Sequence, residues 1–420
     1  VFPWFKTERA VAPVQSIRTG AEIGRVAILG VDVPGLRPKM LCEQGSEVLQ
    51  GQPVFHDRSH PDVVFAAPVS GTVESITYGP RRTLSALVIR LARHAASPKP
   101  ASVDAGTAAD LRAALLAAGL WPSFLTRPFG RIPTPDAVAD TIFVTATGDN
   151  AQAPDAGVVL EGREDAFGRG IKALMLLTEG PVFLCQPPGK DLVSGLEDRI
   201  RIAQFASGPL TGLAGHHIHR LHPVRAGRMV WTVGYQDVAT IGEWLETGVV
   251  NPTRVISLAG PQASSPRLIR TLAGASLTEL IAGETRSGNA EPDVAVVSGS
   301  PVSGRPAAWL GRYHQQVTLC KAAPARRASP NRGLKAWLSP SQQSPAALIP
   351  TAALERALGF GVPVVPLMRA LSVGDSDAAR KLGCLEMTEE DLAALSMVST
   401  SGADYGQMLR HVLDELAEDA

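Results

Sequence analysis

Four histidines within seven residues, His216-His217-Ile218-His219-Arg220-Leu221-His222, form the densest set of side chains in the chain that could do chemistry. Imidazole nitrogens ligate zinc and iron, and on a strand His217 and His219 would share a face and present paired ligands. No Asp, Glu or Cys inside the segment completes such a site, and Arg220 places a cation beside it. Packing and hydrogen bonding by partly buried histidines is the competing reading, as against a metalloenzyme centred on His217 and His219. A second match, Gly168, Gly170 and Ala173, has the spacing of a dinucleotide fingerprint. That fingerprint needs a strand immediately before it, whereas Glu164-Asp165-Ala166-Phe167 reads as the helix itself, so no phosphate loop is expected. Gly189-Lys190 is followed by Asp191 and does not complete a Walker loop. No Ser-His-Asp or Cys-His arrangement has local support, which argues against a hydrolase.

Two polar glycine loops suit a ligand better. Ala259-Gly260-Pro261-Gln262 follows a predicted strand, and Ser298-Gly299-Ser300-Pro301-Val302-Ser303-Gly304-Arg305 offers hydroxyls, backbone amides and a guanidinium. For each, an ordinary tight turn is the alternative. Cys42, Cys185, Cys320 and Cys384 lie far apart without a Cys-x-x-Cys pair. This argues against iron–sulfur clusters, structural zinc and a disulfide framework, and for reduced, buried thiols in a cytoplasmic protein.

The elements that must position these groups fall into four units. Near the start, Gly45-Ser46-Glu47-Val48-Leu49-Gln50-Gly51-Gln52 leads into one strand and Ala67-Pro68-Val69-Ser70-Gly71-Thr72-Val73 into another. Carrier domains for biotin or lipoyl groups read this way and present a lysine at the hairpin between the halves. The connection here, His56-Asp57-Arg58-Ser59-His60-Pro61-Asp62, has none. The first unit, 28–94, is therefore expected to be a lipoyl- or biotinyl-like barrel-sandwich hybrid that docks and does not shuttle a group.

After an Ala-, Ser- and Pro-rich linker at 95–106, Thr107-x-x-Asp110 resembles a capping box before a helix with Leu111, Leu115 and Ala118 in phase. Strands are predicted at 141–145, 181–185, 229–233 and 254–258. Helices are predicted at 165–177, with Phe167, Ile171 and Leu174 inward, and after Asp237 as cap, through Ile241, Trp244 and Leu245. This alternation gives a Rossmann-like, mostly parallel, doubly wound sheet over 107–259. Short strands at 268–271, 294–297 and 315–319 around a helix at 277–282 suggest a β-grasp-like α+β unit over 260–321. A Pro-, Ser- and Arg-rich connection at 322–344 precedes a helical C-terminal domain, 345–420, with helices opening at Thr388-Glu389-Glu390-Asp391 and at Tyr405.

Composition narrows the classes. Forty basic and forty acidic side chains cancel, so nothing draws the chain generally to nucleic acid or anionic lipid. No apolar run reaches the ~20 residues of a membrane helix. Val1-Phe2-Pro3-Trp4-Phe5-Lys6 lacks a signal-like basic region followed by a long apolar stretch, and it does not open on an initiator Met.

Several motifs then become specific. Gly35-Leu36-Arg37-Pro38-Lys39-Met40, Thr126-Arg127-Pro128-Phe129, Gly234-Tyr235-Gln236-Asp237-Val238, Pro266-Arg267-Leu268-Ile269-Arg270-Thr271, Leu310-Gly311-Arg312-Tyr313-His314, Val373-Gly374-Asp375-Ser376-Asp377 and Leu382-Gly383-Cys384-Leu385-Glu386 occur in order. Together they resemble the NqrA family, one of the subunit families of the sodium-translocating NADH:quinone oxidoreductases, from about Ile28 to Leu413. That family is related to the NADH-binding subunit of respiratory complex I and to the RnfC component of the Rnf ferredoxin:NAD oxidoreductase. The resemblance implies the four folds named above and a peripheral subunit, without a membrane span, on the cytoplasmic face of the bacterial inner membrane. It implies no tightly bound cofactor, ubiquinone as substrate of the complex, and NADH, flavins and iron on membrane and flavin-bearing partner subunits. His217, His219, Tyr235, Arg267, Arg305 and Tyr313 are the candidate donors to quinone oxygens.

The chain also departs from the family. Gly148-Asp149-Asn150-Ala151-Gln152-Ala153 replaces an expected Asp-Thr-Asn-Pro-Leu-Ala loop, Ser399 stands where a cysteine is expected, and 324–344 is unusually basic. A free-standing cytoplasmic paralogue that binds a nucleotide or other small ligand, without a redox role, is the alternative.

Overall fold

The computed structural model describes residues 11–93, 102–195, 197–224, 227–286, 294–322 and 347–418. The basic segment 324–344, the first ten residues and most of the 95–106 linker lie outside these. Two small antiparallel sheets form the first unit. One runs β2 (Arg25–Leu29), β8 (Leu84–Leu91), β7 (Gly71–Tyr78), β4 (Glu47–Val48), and the other β3 (Pro38–Met40), β5 (Pro53–Asp57), β6 (Val64–Ala66). Alternation sends Val73, Leu87 and Ile89 inward to meet Val54, Phe55 and Phe65, with the two phenyl rings stacked at 4.5 Å. His56–Asp62 makes the end of β5 and the turn into β6.

In the second unit β12 (Ile200–Gln204), β11 (Val182–Gln186), β10 (Thr141–Thr145) and β13 (Val230–Gly234) are parallel neighbours, with β9 (Leu125–Arg127) antiparallel on the edge. Helix α1 (Ala108–Ala117) begins at Thr107, whose hydroxyl accepts from the Asp110 amide at 3.2 Å, and it buries Leu111 and Leu115. Thr107→Ala is expected to cost about 1 kcal/mol of unfolding free energy, measured by denaturant titration.

Helices α2 (Ala156–Leu160), α3 (Glu164–Leu174) and α5 (Tyr235–Thr247) cover one face of this sheet, and α4 (Ala214–Leu221) covers the other. The Gly168-x-Gly170 match lies inside α3, as expected. Its physical role is helix packing: a Cβ on Gly170 would overlap the Val238 carbonyl of α5, and one on Gly242 the Ala166 carbonyl of α3.

The third unit is a mixed sheet ordered β1 (Val14–Thr19), β15 (Arg267–Leu272), β14 (Thr253–Ala259), β18 (Gln316–Lys321), β16 (Val294–Ser298), β17 (Arg305–Pro306), with α6 (Leu277–Leu280) against it. Two expectations are corrected here. The strand at 254–258 belongs to this sheet and not to the parallel one, because β14 pairs with β15 and β18. An apolar β-branched run reads the same in either sheet, and only long-range pairing separates them. Asp237 does not cap α5: Gly234 occupies that position, and the Asp237 carboxylate is held by Arg254 at 2.5 Å.

Helices α7 (Ala352–Arg356), α8 (Val364–Val373), α9 (Ser376–Lys381), α10 (Ala393–Val398) and α11 (Tyr405–Glu418) close the chain around a separate core of Leu367, Met368, Leu392, Leu409 and Leu413. The predicted start at Thr388 is a capping box, with the Asp391 side chain accepting from the Thr388 amide at 2.8 Å.

Candidate functional site

The parallel sheet reverses direction of growth at β10: β11 lies on one side of it and β13 on the other. The loop after β10 and the start of α5 after β13 both lie at the carboxyl end of these strands, where an open α/β sheet holds ligands. A cleft of about 210 Å³ occupies that place. One wall is Thr145, Thr147, Gly148 and Asp149 after β10, with Gly234, Gln236 and Asp237 at the start of α5. The third unit supplies Gly299, Ser300, Ser303, Arg312, Tyr313, His314 and Gln316, and the C-terminal unit supplies Glu390.

Most of the charges in the wall are already matched. Asp149 accepts from Ser303 Oγ at 2.7 Å and from Asn150 Nδ2 at 2.7 Å, and Asn150 also donates to Gln316 Oε1 at 3.0 Å. Arg254 neutralises Asp237 and donates to Thr240 Oγ1 at 3.0 Å. Arg312 spends Nε on Pro122 O at 3.1 Å and Nη2 on Ser123 Oγ at 3.2 Å. His314 shares a 2.8 Å hydrogen bond with Ser298 Oγ, and burial, reinforced by Arg305, lowers its pKa to about 4, so it is neutral at pH 7. Unmatched groups remain. The first turn of α5 has no side-chain cap and Thr145 Oγ1 has no partner, while Glu390, 3.4 Å from Arg127 Nη2, borders the cleft as an acceptor. Donors in this number suit a ligand that brings carbonyl or other acceptor oxygens.

The six candidate donors do not converge on this cleft. Tyr313 lines it, with its hydroxyl donated to Pro122 O at 2.8 Å. Tyr235 is fully buried without a hydroxyl partner, and burial pushes its pKa up. Arg267 makes a two-pronged pair with Glu284 at 2.6 and 2.8 Å. Arg305 pairs with Asp32 of the first unit.

The histidine segment is a helix, α4, so the shared strand face expected of His217 and His219 does not exist. Residues two apart on a helix stand about 200° apart. His217 Nε2 donates to Thr211 O at 2.8 Å, its ring lies 4.2 Å from Phe205, and burial lowers its pKa to about 4. His219 turns the other way, to Glu386 at 2.6 Å. Among the described residues no three His, Cys, Asp or Glu side chains are grouped to hold a metal. Sequence reasoning passed over Arg127, Asp149 and Glu390 as site residues. Each lies in a stretch already singled out, the Thr126–Phe129 motif, the departing 148–153 loop and the Thr388 helix start, and that was the available signal.

Known proteins resemble this chain along nearly all of it. Three family models match: the NqrA N-terminal barrel-sandwich hybrid domain at 9–92, the NqrA second alpha/beta domain at 106–250, and the NQRA C-terminal domain at 255–308. The A subunit of the Na(+)-translocating NADH-quinone reductase of Shewanella denitrificans is 39% identical, covering 97% of this chain and 96% of that protein. Its counterparts in Rhodopirellula baltica and Pasteurella multocida are 37% and 36% identical, each over 97% of this chain and 95% and 97% of theirs. Among solved structures, an air-oxidized NAD+-reducing [NiFe]-hydrogenase aligns over 75% of this chain and 62% of its own, at 14% identity and a TM-score of 0.38.

Proposed function

This chain belongs to the NqrA family, and we propose that it is the peripheral NqrA component of a sodium-translocating NADH:ubiquinone reductase on the cytoplasmic face of the inner membrane. The observation that carries this is identity of 39% sustained over 97% of the chain. Among the described residues no helix is long and apolar enough to cross a membrane, which agrees with a peripheral place. In this reading the first unit is a lipoyl-like docking module, the second Rossmann-like and the third β-grasp-like. The chain itself holds no tight cofactor, while NADH, flavins and iron sit on partner subunits.

Quinone contact is the finer part of the proposal. A quinone needs a slot with donors to two carbonyl oxygens, and the cleft beside Tyr313 supplies uncapped amides at α5 and the unpartnered Thr145 hydroxyl. His217, Tyr235, Arg267 and Arg305 have internal partners or are closed off, and support the walls from behind.

Tagged chain expressed with its neighbours is expected to recover multi-span membrane subunits and a flavin-bearing reductase from solubilised membranes, and to be colourless when purified alone. Stoichiometric flavin or iron in the lone chain, or no membrane partner, overturns the subunit reading. A short-chain ubiquinone is expected to raise the Tm of the lone chain by mass action. Selective stabilisation by a nucleotide in its place supports the free-standing ligand-binding alternative.

A further inference from the structure

One buried arginine joins the second unit to the C-terminal helices. Arg127, at the end of β9, is 2% exposed; its Nη2 donates to Thr388 Oγ1 at 2.7 Å and stands 3.4 Å from Glu390 and 3.8 Å from Asp391. Its Nε has no partner. Asp391 is 1% exposed, with Oδ2 on the Thr388 amide and Oδ1 without a donor. That carboxylate lies against the first turn of α4 so closely that a Cβ on Gly215 would overlap it. Glu390 differs, because 44% of its side chain is exposed and it lines the cleft.

Charge counting around this cluster leaves an excess of acid. Glu389, on the same turn, is taken up by Arg410 of α11 at 2.6 and 2.8 Å, and Arg410 also donates to Phe129 O at 2.6 Å. Asp149, from the loop after β10, adds a negative charge that bears on Glu390. One guanidinium thus serves two adjacent carboxylates in a confined space. Like charges so placed resist ionising together, and they titrate as a pair. The C-terminal unit grips α4 at its other end too, through His219 and Glu386 at 2.6 Å. Loosening at Asp391 therefore bears on the whole contact.

We propose that Arg127, Glu390 and Asp391 form a proton-operated latch: with one proton held by the carboxylate pair, the C-terminal unit closes on β9 and α4 and completes the cleft, and loss of that proton loosens it. The direction of titration agrees. Desolvation on the side facing Arg127, limited by the 44% of the side chain that meets the cleft, and then the adjacent Asp391 push the Glu390 pKa up against the pull of Arg127, and burial raises Asp391 as well. A carboxyl raised in the folded state contributes stability that is complete below its unfolded pKa and is lost as pH rises through the folded value. The latch therefore weakens from acid towards alkaline pH. It rests on the geometry of the joint and is independent of whether quinone enters the cleft.

Hydrogen exchange of the full chain at about pH 6 and about pH 8, corrected for intrinsic exchange, tests this. In the unmodified protein the protection of α11 and of the turn at 389–392 is expected to fall severalfold between the two conditions, less than the roughly tenfold of a full pKa unit because Glu390 is 44% exposed to solvent. In Glu390→Gln, which cannot ionise, protection is expected to stay level. An equal fall in both proteins, or none in the unmodified one, overturns the latch. Should Glu390→Gln not fold by circular dichroism, infrared titration of unmodified protein carrying 13C-carboxyl glutamate decides. A glutamic acid losing its proton in that interval is expected, and its absence refutes the proposal.

Discussion

Gly242→Ala is expected to lower the unfolding free energy by about 3 kcal/mol, at the upper end of overpacking costs. The added methyl has nowhere to go. It would overlap the Ala166 carbonyl and press on the Gly170 amide, both in the backbone of α3, which cannot rotate away as a side chain can. Helices α3 and α5 must then separate, and Phe167, Ile171, Val238 and Ile241, all fully buried, lose contact together. Urea melts of the two proteins check this, with an unchanged slope and a lower midpoint expected. A midpoint within error of the unmodified protein would refute the close-approach account. The same crossing explains the Gly168-x-Gly170 spacing: the glycines that resemble a phosphate loop serve the approach of two helices.

Arg127→Ala is expected to cost about 3 kcal/mol near pH 8, the low end for breaking a buried ion pair, because Glu390 keeps access to water in the cleft. Arg127 is the cation that holds the Glu390 and Asp391 pKa values down against burial. Its removal raises both further, so the variant loses stability over a pH range that extends above the present value of about 7 for Glu390. The deficit should therefore be small in acid, where both carboxyls are protonated in either protein, and should grow through neutrality. Thermal melts across pH measure it, and a deficit independent of pH would show that Arg127 acts only by packing.

Much of the architecture was legible because it follows from local pattern. The period-2 spacing of Leu87, Ile89 and Leu91 set β8, which the fold then buries on both faces, the period of Phe167, Ile171 and Leu174 set α3, and Thr107 marked the start of α1 by its cap. The site was far less legible. His217 and His219 drew attention by type, yet a segment of histidines carries no strong preference between strand and helix, and burial of Ile218 against Phe143 and Phe183 decided for α4. Tyr235, Arg267 and Arg305 offered the right donors, but each donor's direction depends on partners that lie far off in sequence or are missing.

The sequence by itself determined the order of units, the lysine-free hairpin at His56–Asp62, most helices and strands, and the family, because these rest on composition, periodicity and ordered motifs. Tertiary structure alone decided that β1 joins β15, that β14 leaves the parallel sheet, and that Asp149, Arg312 and Glu390, from three separate stretches, face one cleft. Some of the deciding contacts join residues more than a hundred positions apart, such as Ile17 with Leu268 in the sheet and Arg127 with Thr388 at the joint. No local propensity encodes such contacts; they follow from which buried faces and charges find partners once the chain has closed.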